Sequence, residues 1–304
     1  MKKPSLDTLY LNVGPPSIDA CLLQKGDGVR YYAENRELDL RRIGYIGDST
    51  SDISVMSLGE VGFIGAPANV EFEVVEYMKG SGKRHFISDK KYLDGFLDFY
   101  EEAKKMGLDA VMSDRDGVLY YGVDFSRGND FAKRLRVAGQ KDNPAIIMLT
   151  GSTFCQNTDF LRTYGFSPEN LSGNDYVQKN PYIALLENSA LWINALKPQE
   201  PIVAPIFDKG VLEKFTGEFK KNVMKEMENS VLPKFGFGWS DDQSDKNSKV
   251  YVPPKLTMIT FDVPKTSSTD QYFRKSQDAE LFRREVLEIM MKEAEKLHLP
   301  VTVT

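Results

Sequence analysis

The chain has 304 residues, 41% hydrophobic and 27% charged, which is ordinary for a soluble globular protein and enough for two domains, or one with a large insertion. A net charge of −5 gives no reason to expect a nucleic-acid partner, and two cysteines and two histidines exclude a disulfide framework and most Cys/His zinc sites and argue against a Ser-His-Asp triad. Any metal would be held by carboxylates, which suits magnesium. No apolar run is long enough to span a bilayer, and MKKPSLDTLY lacks the apolar core of a signal peptide, so a soluble, cytoplasmic chain with no membrane partner is expected.

Thr8 to Val13 (TLYLNV) reads as a strand stopped by Gly14-Pro15-Pro16. Lys25-Gly26 opens a helix to about Arg36. Arg42 to Ile46 is a short apolar strand that runs into the polar turn Gly47-Asp48-Ser49-Thr50-Ser51-Asp52, followed by a helix carrying Ile53, Val55, Met56 and Leu58. Val61 to Ile64 reads as a strand, Pro67 to Met78 as a helix, His85 to Ile87 as a short strand and Lys91 to Lys105 as an amphipathic helix. Apolar Leu108, Ala110 and Val111 then lead into Asp114-Arg115-Asp116-Gly117. A loop rich in Tyr and Gly (Tyr120 to Gly128), a helix to about Ala138 and the strand Ala145 to Leu149 follow, and that strand ends in Thr150-Gly151-Ser152-Thr153.

Strands alternating with helices through residue 190 predict an α/β fold with a Rossmann-like parallel sheet covered by helices on both faces. Beyond Ala195 the texture changes. Phe207 to Leu232 carries one or two helices, Gly236 to Val250 is a polar excursion, Leu256 to Val263 is a strand, Asp278 to Leu297 a helix and Leu299 to Thr304 (LPVTVT) a last strand. That mixture predicts a separate α+β domain.

A buried strand ending in Asp-x-Asp-Gly puts two acids at the carboxyl edge of a sheet, where open α/β folds place their chemistry, although Asp and Gly also close ordinary turns. A calcium loop of the EF-hand kind fits worse, because its fifth position is Val118 and its twelfth is Phe125 rather than Glu. Three strand ends offer reactive groups: Asp114 with Asp116, Asp48 with Asp52, and Thr150. With Lys25 at a helix start, these form a kit for phosphoryl transfer through an aspartyl-phosphate. Asp114 would attack phosphorus, and a magnesium ion held by Asp114, the Asp116 carbonyl, Asp48 and Asp52 would screen the charges. Thr150 and nearby backbone N–H groups, Gly151 included, would bind phosphoryl oxygens, and Lys25 would add positive charge. Asp116 would protonate the leaving alcohol and then activate water.

The pattern resembles the haloacid dehalogenase superfamily of aspartate-nucleophile phosphatases, in the branch with a large α/β cap. Asp114-Arg-Asp116-Gly-Val is similar to the nucleophile motif, Leu149-Thr150-Gly151 to the phosphate-binding motif, Lys25-Gly26 to the lysine motif and Gly47-Asp48-Ser-Thr-Ser-Asp52 with Met56 to the acidic metal motif. Pro181-Tyr-Ile-Ala-Leu-Leu-Glu187-Asn188-Ser-Ala190 resembles the strand and turn before the cap, and Gly62-Phe-Ile-Gly-Ala-Pro-Ala68-Asn69 the segment after the metal motif. Ser51 stands where the family often has Asn, and Arg115 at a variable position. The family runs nucleophile, threonine, cap, lysine, metal acids, whereas here the lysine and metal acids come first. The resemblance therefore implies a circular permutation, with a catalytic core at 14–195 and a cap made of 196–304 together with 1–13. Val13 and Val303 should then lie on neighbouring strands of the cap.

The function implied is a magnesium-dependent phosphatase that hydrolyses a small phosphorylated metabolite, and the resemblance to large-cap phosphatases favours a sugar phosphate. A phosphomutase using the same aspartyl-phosphate is the competing enzyme, and a phosphometabolite-binding module that has lost turnover is the non-enzyme alternative, which the intact set of acids, lysine and threonine argues against. Cys21 and Cys155 read as packing residues, His85 and His298 as structural or surface groups, the Lys220-to-Lys225 charges as a solvated helix face, and Trp239 as part of the cap. Oligomeric state and the residues that set specificity have no sequence signal.

Overall fold

A computed structural model describes residues 8–13, 17–120, 126–207, 209–241, 249–262 and 277–303, without the side chains of residues 155, 156 and 209. The stop expected at Gly14-Pro15-Pro16 and most of the loop after Tyr120 lie outside the described residues. The chain forms two compact units. Met1–Leu23 and Pro205–Thr304 make one, and Gln24–Ala204 the other.

In chain order, β1 (Leu9–Val13) and β2 (Ser17–Cys21) precede α1 (Lys25–Asn35), β3 (Ile43–Ile46), α2 (Ile53–Met56), β4 (Phe63–Ala66), α3 (Phe72–Gly80), β5 (His85–Ile87), α4 (Tyr92–Lys105) and β6 (Ala110–Asp114). Next come α5 (Gly128–Val137), β7 (Ala145–Leu149), α6 (Phe154–Thr163), the single turns α7 (Pro168–Leu171) and α8 (Asp175–Lys179), and the strands β8 (Tyr182–Leu186), β9 (Leu191–Asn194) and β10 (Ile202–Val203). A long helical stretch holds α9 (Lys209–Leu212), α10 (Lys220–Glu226) and α11 (Leu232–Phe235). After it come β11 (Gly238–Ser240), β12 (Lys249–Tyr251), β13 (Met258–Asp262), α12 (Gln277–Lys296) and β14 (Val301–Val303). None of the described helices is long and apolar enough to cross a membrane.

The larger unit is built on an eight-stranded sheet in the order β10-β9-β8-β7-β6-β3-β4-β5. From β8 to β5 every neighbouring pair is parallel, while β9 and β10 turn back antiparallel at one edge. Strands β3, β4, β6 and β7 are buried at every position, as a parallel sheet covered by helices requires, so the mixed α/β architecture follows from continuous apolar runs such as AIIML. Helix α4 illustrates the covering layer. Leu93, Phe96, Phe99, Tyr100 and Ala103 fall at three- and four-residue spacing and form one buried stripe. Phe99 stacks on Phe63 with ring centroids 4.6 Å apart. A Cβ at Gly65 would lie 2.2 Å from the Phe99 ring, so the bare glycine in β4 is what lets the helix settle this close to the sheet.

The smaller unit holds a six-stranded sheet in the order β11-β12-β13-β2-β1-β14. β1 and β14 pair in parallel with Leu11 opposite Val303, so segments from the two ends of the chain are neighbouring strands. β2 pairs antiparallel with β1 on one side and β13 on the other. The expected boundary at residue 14 is therefore corrected. β2 belongs to the small sheet, and the larger unit begins at Gln24 and extends to Ala204, past the expected end at 195. The pentapeptide SIDAC carries only a short polar–apolar alternation and is held in place by two partners.

The helical stretch of this unit is not a plain α-helix. Glu213–Phe219 and Met227–Val231 are wider π turns on either side of α10. Between Glu213 and Val231 its buried residues are Phe215, Phe219, Val223, Met227 and Val231, a strict four-residue repeat, and Leu232 is buried just beyond it. On a helix of 3.6 residues per turn that repeat drifts by about 40° per step. Inserting wider turns cancels the drift and keeps all five side chains on one line.

Candidate functional site

Because β7, β6 and β3 are adjacent and parallel, their carboxyl ends lie side by side. Ile46 is opposite Ser113, and Asp114 is opposite Leu149. The residues that leave these ends are Gly47-Asp48, Asp114 and Thr150, which is why groups from distant parts of the chain meet at one edge of the sheet. Helix α1 contributes Lys25, its first residue.

Asp48, Asp52 and Asp114 each present a carboxylate oxygen within 4.8 Å of the others, a grouping able to hold a metal ion. Lys25 Nζ lies between two of them, 2.8 Å from Asp52 Oδ1 and 3.0 Å from Asp114 Oδ1. The Tyr45 hydroxyl donates to Asp52 Oδ1 at 2.6 Å. Asp52 Oδ2 accepts from the backbone N–H groups of Asp48 and Ser49, both at 3.0 Å, and from Ser49 Oγ at 3.1 Å. Five donors thus use up the roughly four lone-pair sites of the Asp52 carboxylate. Asp52 fixes the loop and the lysine, and Asp48 and Asp114 present the freer oxygens. The groups of the cluster able to bind a metal are all carboxylate oxygens, the set that suits a hard divalent cation.

Three carboxylates against one ammonium leave the cluster short of positive charge, and the proton affinities follow. The Asp48 carboxyl is pushed up to about 8 by burial, then by repulsion from Asp114 and Asp52. Asp114 is raised by burial, with Lys25 pulling the other way and Asp52 and Asp116 adding to the rise. Asp52 is also penalised by burial, yet the Lys25 ammonium and its hydrogen bonds outweigh that and hold it below the usual carboxylate range. Burial disfavours the Lys25 ammonium, but Asp114 and Asp52 hold it above its ordinary value. A bound divalent cation would lower the proton affinity of Asp48 and Asp114 together.

The surrounding loops are tied in by backbone contacts. Gly117 has φ +76, and a Cβ there would lie 1.9 Å from Asp48 Oδ2, so only glycine lets the turn after Asp116 close against the acid. Asn69 Nδ2 donates to the Gly117 carbonyl at 2.8 Å, while its Oδ1 accepts from the Tyr92 N–H at 3.0 Å. Glu71 accepts from the Thr50 N–H at 2.7 Å, and its own N–H donates to the Asp48 carbonyl at 2.8 Å. On the other side, Glu187, Asn188 and Ser189 all have positive φ, and the Asn188 N–H braces the Thr150 carbonyl at 3.1 Å. Three residues in this costly conformation persist only where their surroundings impose it.

Asp116 is placed differently from the other acids. Its side chain is 51% exposed and its carboxylate is outside the cluster, so a role in metal binding would fall to its backbone carbonyl alone. Arg115 Nη2 reaches its two oxygens at 2.8 and 2.7 Å and Nε reaches Oδ2 at 3.1 Å. Thr150 Oγ1 is 3.3 Å from the same oxygen, and the Ser152 N–H donates to Thr150 Oγ1 at 3.1 Å. Thr150 is buried and Gly151 half-buried in the loop beside it.

Sequence reasoning gave no role of their own to Arg115, Tyr45, Asn69, Ser152 and Asn157. For the first two a signal existed: an arginine in the otherwise apolar or acidic run SDRDGVL, and a hydroxyl in the fully buried strand IGYI. His85 takes the surface role expected of it, exposed and bonded to the Lys83 carbonyl, while Ser51, at the position where the resembled family often has Asn, lies with its Oγ 2.9 Å from Ser49 Oγ. In the small unit Cys21 is buried, its thiol pushed up to about 12 by burial first, and Trp239 lies 6.2 Å from Phe261. The Cys155 side chain is outside the described residues. No family model, curated protein or solved structure matches the chain.

Proposed function

We propose that the chain is a magnesium-dependent phosphoric monoester hydrolase of the haloacid dehalogenase type, with its motifs in circularly permuted order and the smaller unit as its cap, acting on a small phosphorylated metabolite such as a sugar phosphate. The observation that carries this reading is the meeting of Lys25, Asp48, Asp52 and Asp114 in one buried cluster beside Thr150 and Asp116. These groups come from four separated stretches, and the sequence order of those stretches has no bearing on the geometry. The pairing of β1 with β14 supports the permuted order, because it joins the strands that such a rearrangement would separate.

In this reading Asp114 attacks phosphorus. As its oxygen bonds to phosphorus, the bond to the leaving oxygen breaks and the Asp116 proton moves to that oxygen. Lys25 holds Asp114 in place and offsets the charge of the incoming phosphoryl group. Thr150 and the N–H groups of the following loop bind the phosphoryl oxygens. Water then attacks phosphorus, gives its proton to Asp116, and displaces the Asp114 oxygen, which restores the enzyme and releases phosphate. A divalent cation held by Asp48 and Asp114 would screen the repulsion between carboxylate and phosphate.

The test is phosphate release from a panel of phosphorylated metabolites, with and without magnesium, for the wild type and Asp114→Asn. Release that needs magnesium and disappears in the variant is expected. Turnover that persists in Asp114→Asn would exclude it as nucleophile, turnover after exhaustive chelation would exclude the metal role, and interconversion of isomers without net release would favour a mutase.

A further inference from the structure

Arg115, between the two acids, has no part in the reaction as written, yet it is among the most constrained side chains in the unit. It is 4% exposed. A guanidinium out of water is costly unless it is hydrogen-bonded, and here each of its three nitrogens has an acceptor. Nε and Nη2 take the Asp116 carboxylate at 2.7 to 3.1 Å, Nη2 also reaches Ser152 Oγ at 2.8 Å, and Nη1 donates to Asn157 Oδ1. The rings of Tyr120 and Phe160 lie 5.2 and 5.7 Å from its central carbon. Asn157 is itself anchored, its Nδ2 donating to the Thr153 carbonyl at 2.5 Å.

The cation is therefore fixed, and what it fixes is Asp116. The buried Asp52 and Asp114 and the half-buried Asp48 would repel a fourth carboxylate, and Arg115 instead keeps Asp116 over Thr150 at 3.3 Å and Ser152 at 3.4 Å. Among the described residues, the Arg115 guanidinium and the Thr150 and Ser152 hydroxyls all face the Asp116 oxygens, so the side chain is held from several sides.

We propose that Arg115 is the positioning residue for Asp116 in the second half of the reaction, holding the carboxylate where it takes the proton of the attacking water. The inference rests on the hydrolase reading. The water O–H bond breaks, its proton goes to an Asp116 oxygen, the water oxygen bonds to phosphorus, and the phosphorus–Asp114 bond breaks. The proton now on Asp116 is the one delivered to the next leaving oxygen.

The full chain with magnesium and p-nitrophenyl phosphate tests this, because nitrophenolate leaves without needing a proton. In Arg115→Met, kcat is expected to fall on the order of 100-fold, the scale of general-base assistance. kcat/KM, which reports only the first half, falls far less, so KM falls as well. Rapid mixing then shows a burst approaching one nitrophenolate per enzyme, absent in the wild type. Arg115→Lys, which keeps one charged donor, recovers part of kcat. If Arg115→Met does not fold, Asn157→Leu, which frees the far side of the guanidinium, is expected to show the same split at smaller size. A parallel fall of kcat and kcat/KM with no burst, or an unchanged kcat, overturns the inference while leaving the hydrolase reading standing. A wild type that releases no phosphate from any monoester overturns both.

Discussion

In the parallel sheet, β3, β6 and β7 are buried at every residue, whereas β1 and β2 of the six-stranded sheet alternate buried and half-buried positions. The first arrangement leaves polar groups nowhere to go along the strands, so they collect where the strands end, and charge there is dense and buried. In the second, polar side chains sit along the strands. Thr260 bonds Asp19, Lys255 bonds Thr260 at 2.6 Å, and Ser17 bonds Asp19 at 3.3 Å. The same kinds of residue thus stand in two dielectric settings. A charge at the end of a fully buried strand is strongly coupled to its neighbours, and one on a half-exposed strand face is not.

That contrast makes a ranked set of expectations. Lys25→Met should cost about 3–5 kcal/mol in metal-free protein at neutral pH, because it strands two buried carboxylates. Urea unfolding measures it, and a cost below about 1 kcal/mol would mean that the cluster is far better solvated than its burial implies. Gly65→Ala, which drives a methyl into the Phe99 ring, should cost about 1–3 kcal/mol by the same measurement, and a neutral result would show that α4 can lift from the sheet.

Asp48 sets a pH dependence. Its folded proton affinity, about 8, exceeds the ordinary 3.8, so the folded state binds the proton more tightly than the unfolded one. The stability it contributes is complete below the ordinary value and is lost as pH rises through the folded value. The melting temperature of metal-free protein should accordingly decline between these two pH values, and Asp48→Asn should flatten that decline while weakening metal binding. Added magnesium should reverse the decline and release protons on binding, which calorimetry in buffers of different ionisation enthalpy detects. A melting temperature that rises across this range would contradict the repulsion assigned to the cluster. The smallest effect is expected for Lys255→Met, about 1 kcal/mol or less, since its partner on the small sheet is a neutral hydroxyl. A loss as large as that of Lys25→Met would erase the contrast between the two settings.

Much of the parallel sheet is visible in one dimension. The strand at Ala145 to Leu149 is an unbroken apolar run, and α4 announces itself by its three- and four-residue spacing. Where local pattern and pairing compete, pairing wins. A strand expected at Val61 to Ile64 is observed at Phe63–Ala66, because Gly44 pairs with Phe63 and Ile46 with Gly65. A helix expected from Pro67 starts only at Phe72, because Glu71 is taken by the Asp48 loop through its N–H and carboxylate. β10, of two residues, and β2, with only a brief alternation, are too short to stand out without a partner.

Composition and periodicity alone determined an α/β chain with carboxylates, one lysine and one threonine at strand and helix ends. Those are one-dimensional properties, set by burial on both faces and by the residues that end a buried run. Which acid does what was decided only by the tertiary structure. Asp52 is saturated by five donors, Asp48 has none among the described residues, and Asp116 is drawn out of the cluster by its own neighbour in sequence. Hydrogen bonding and desolvation depend on what surrounds a carboxylate in space, and the residue letter is the same for all four.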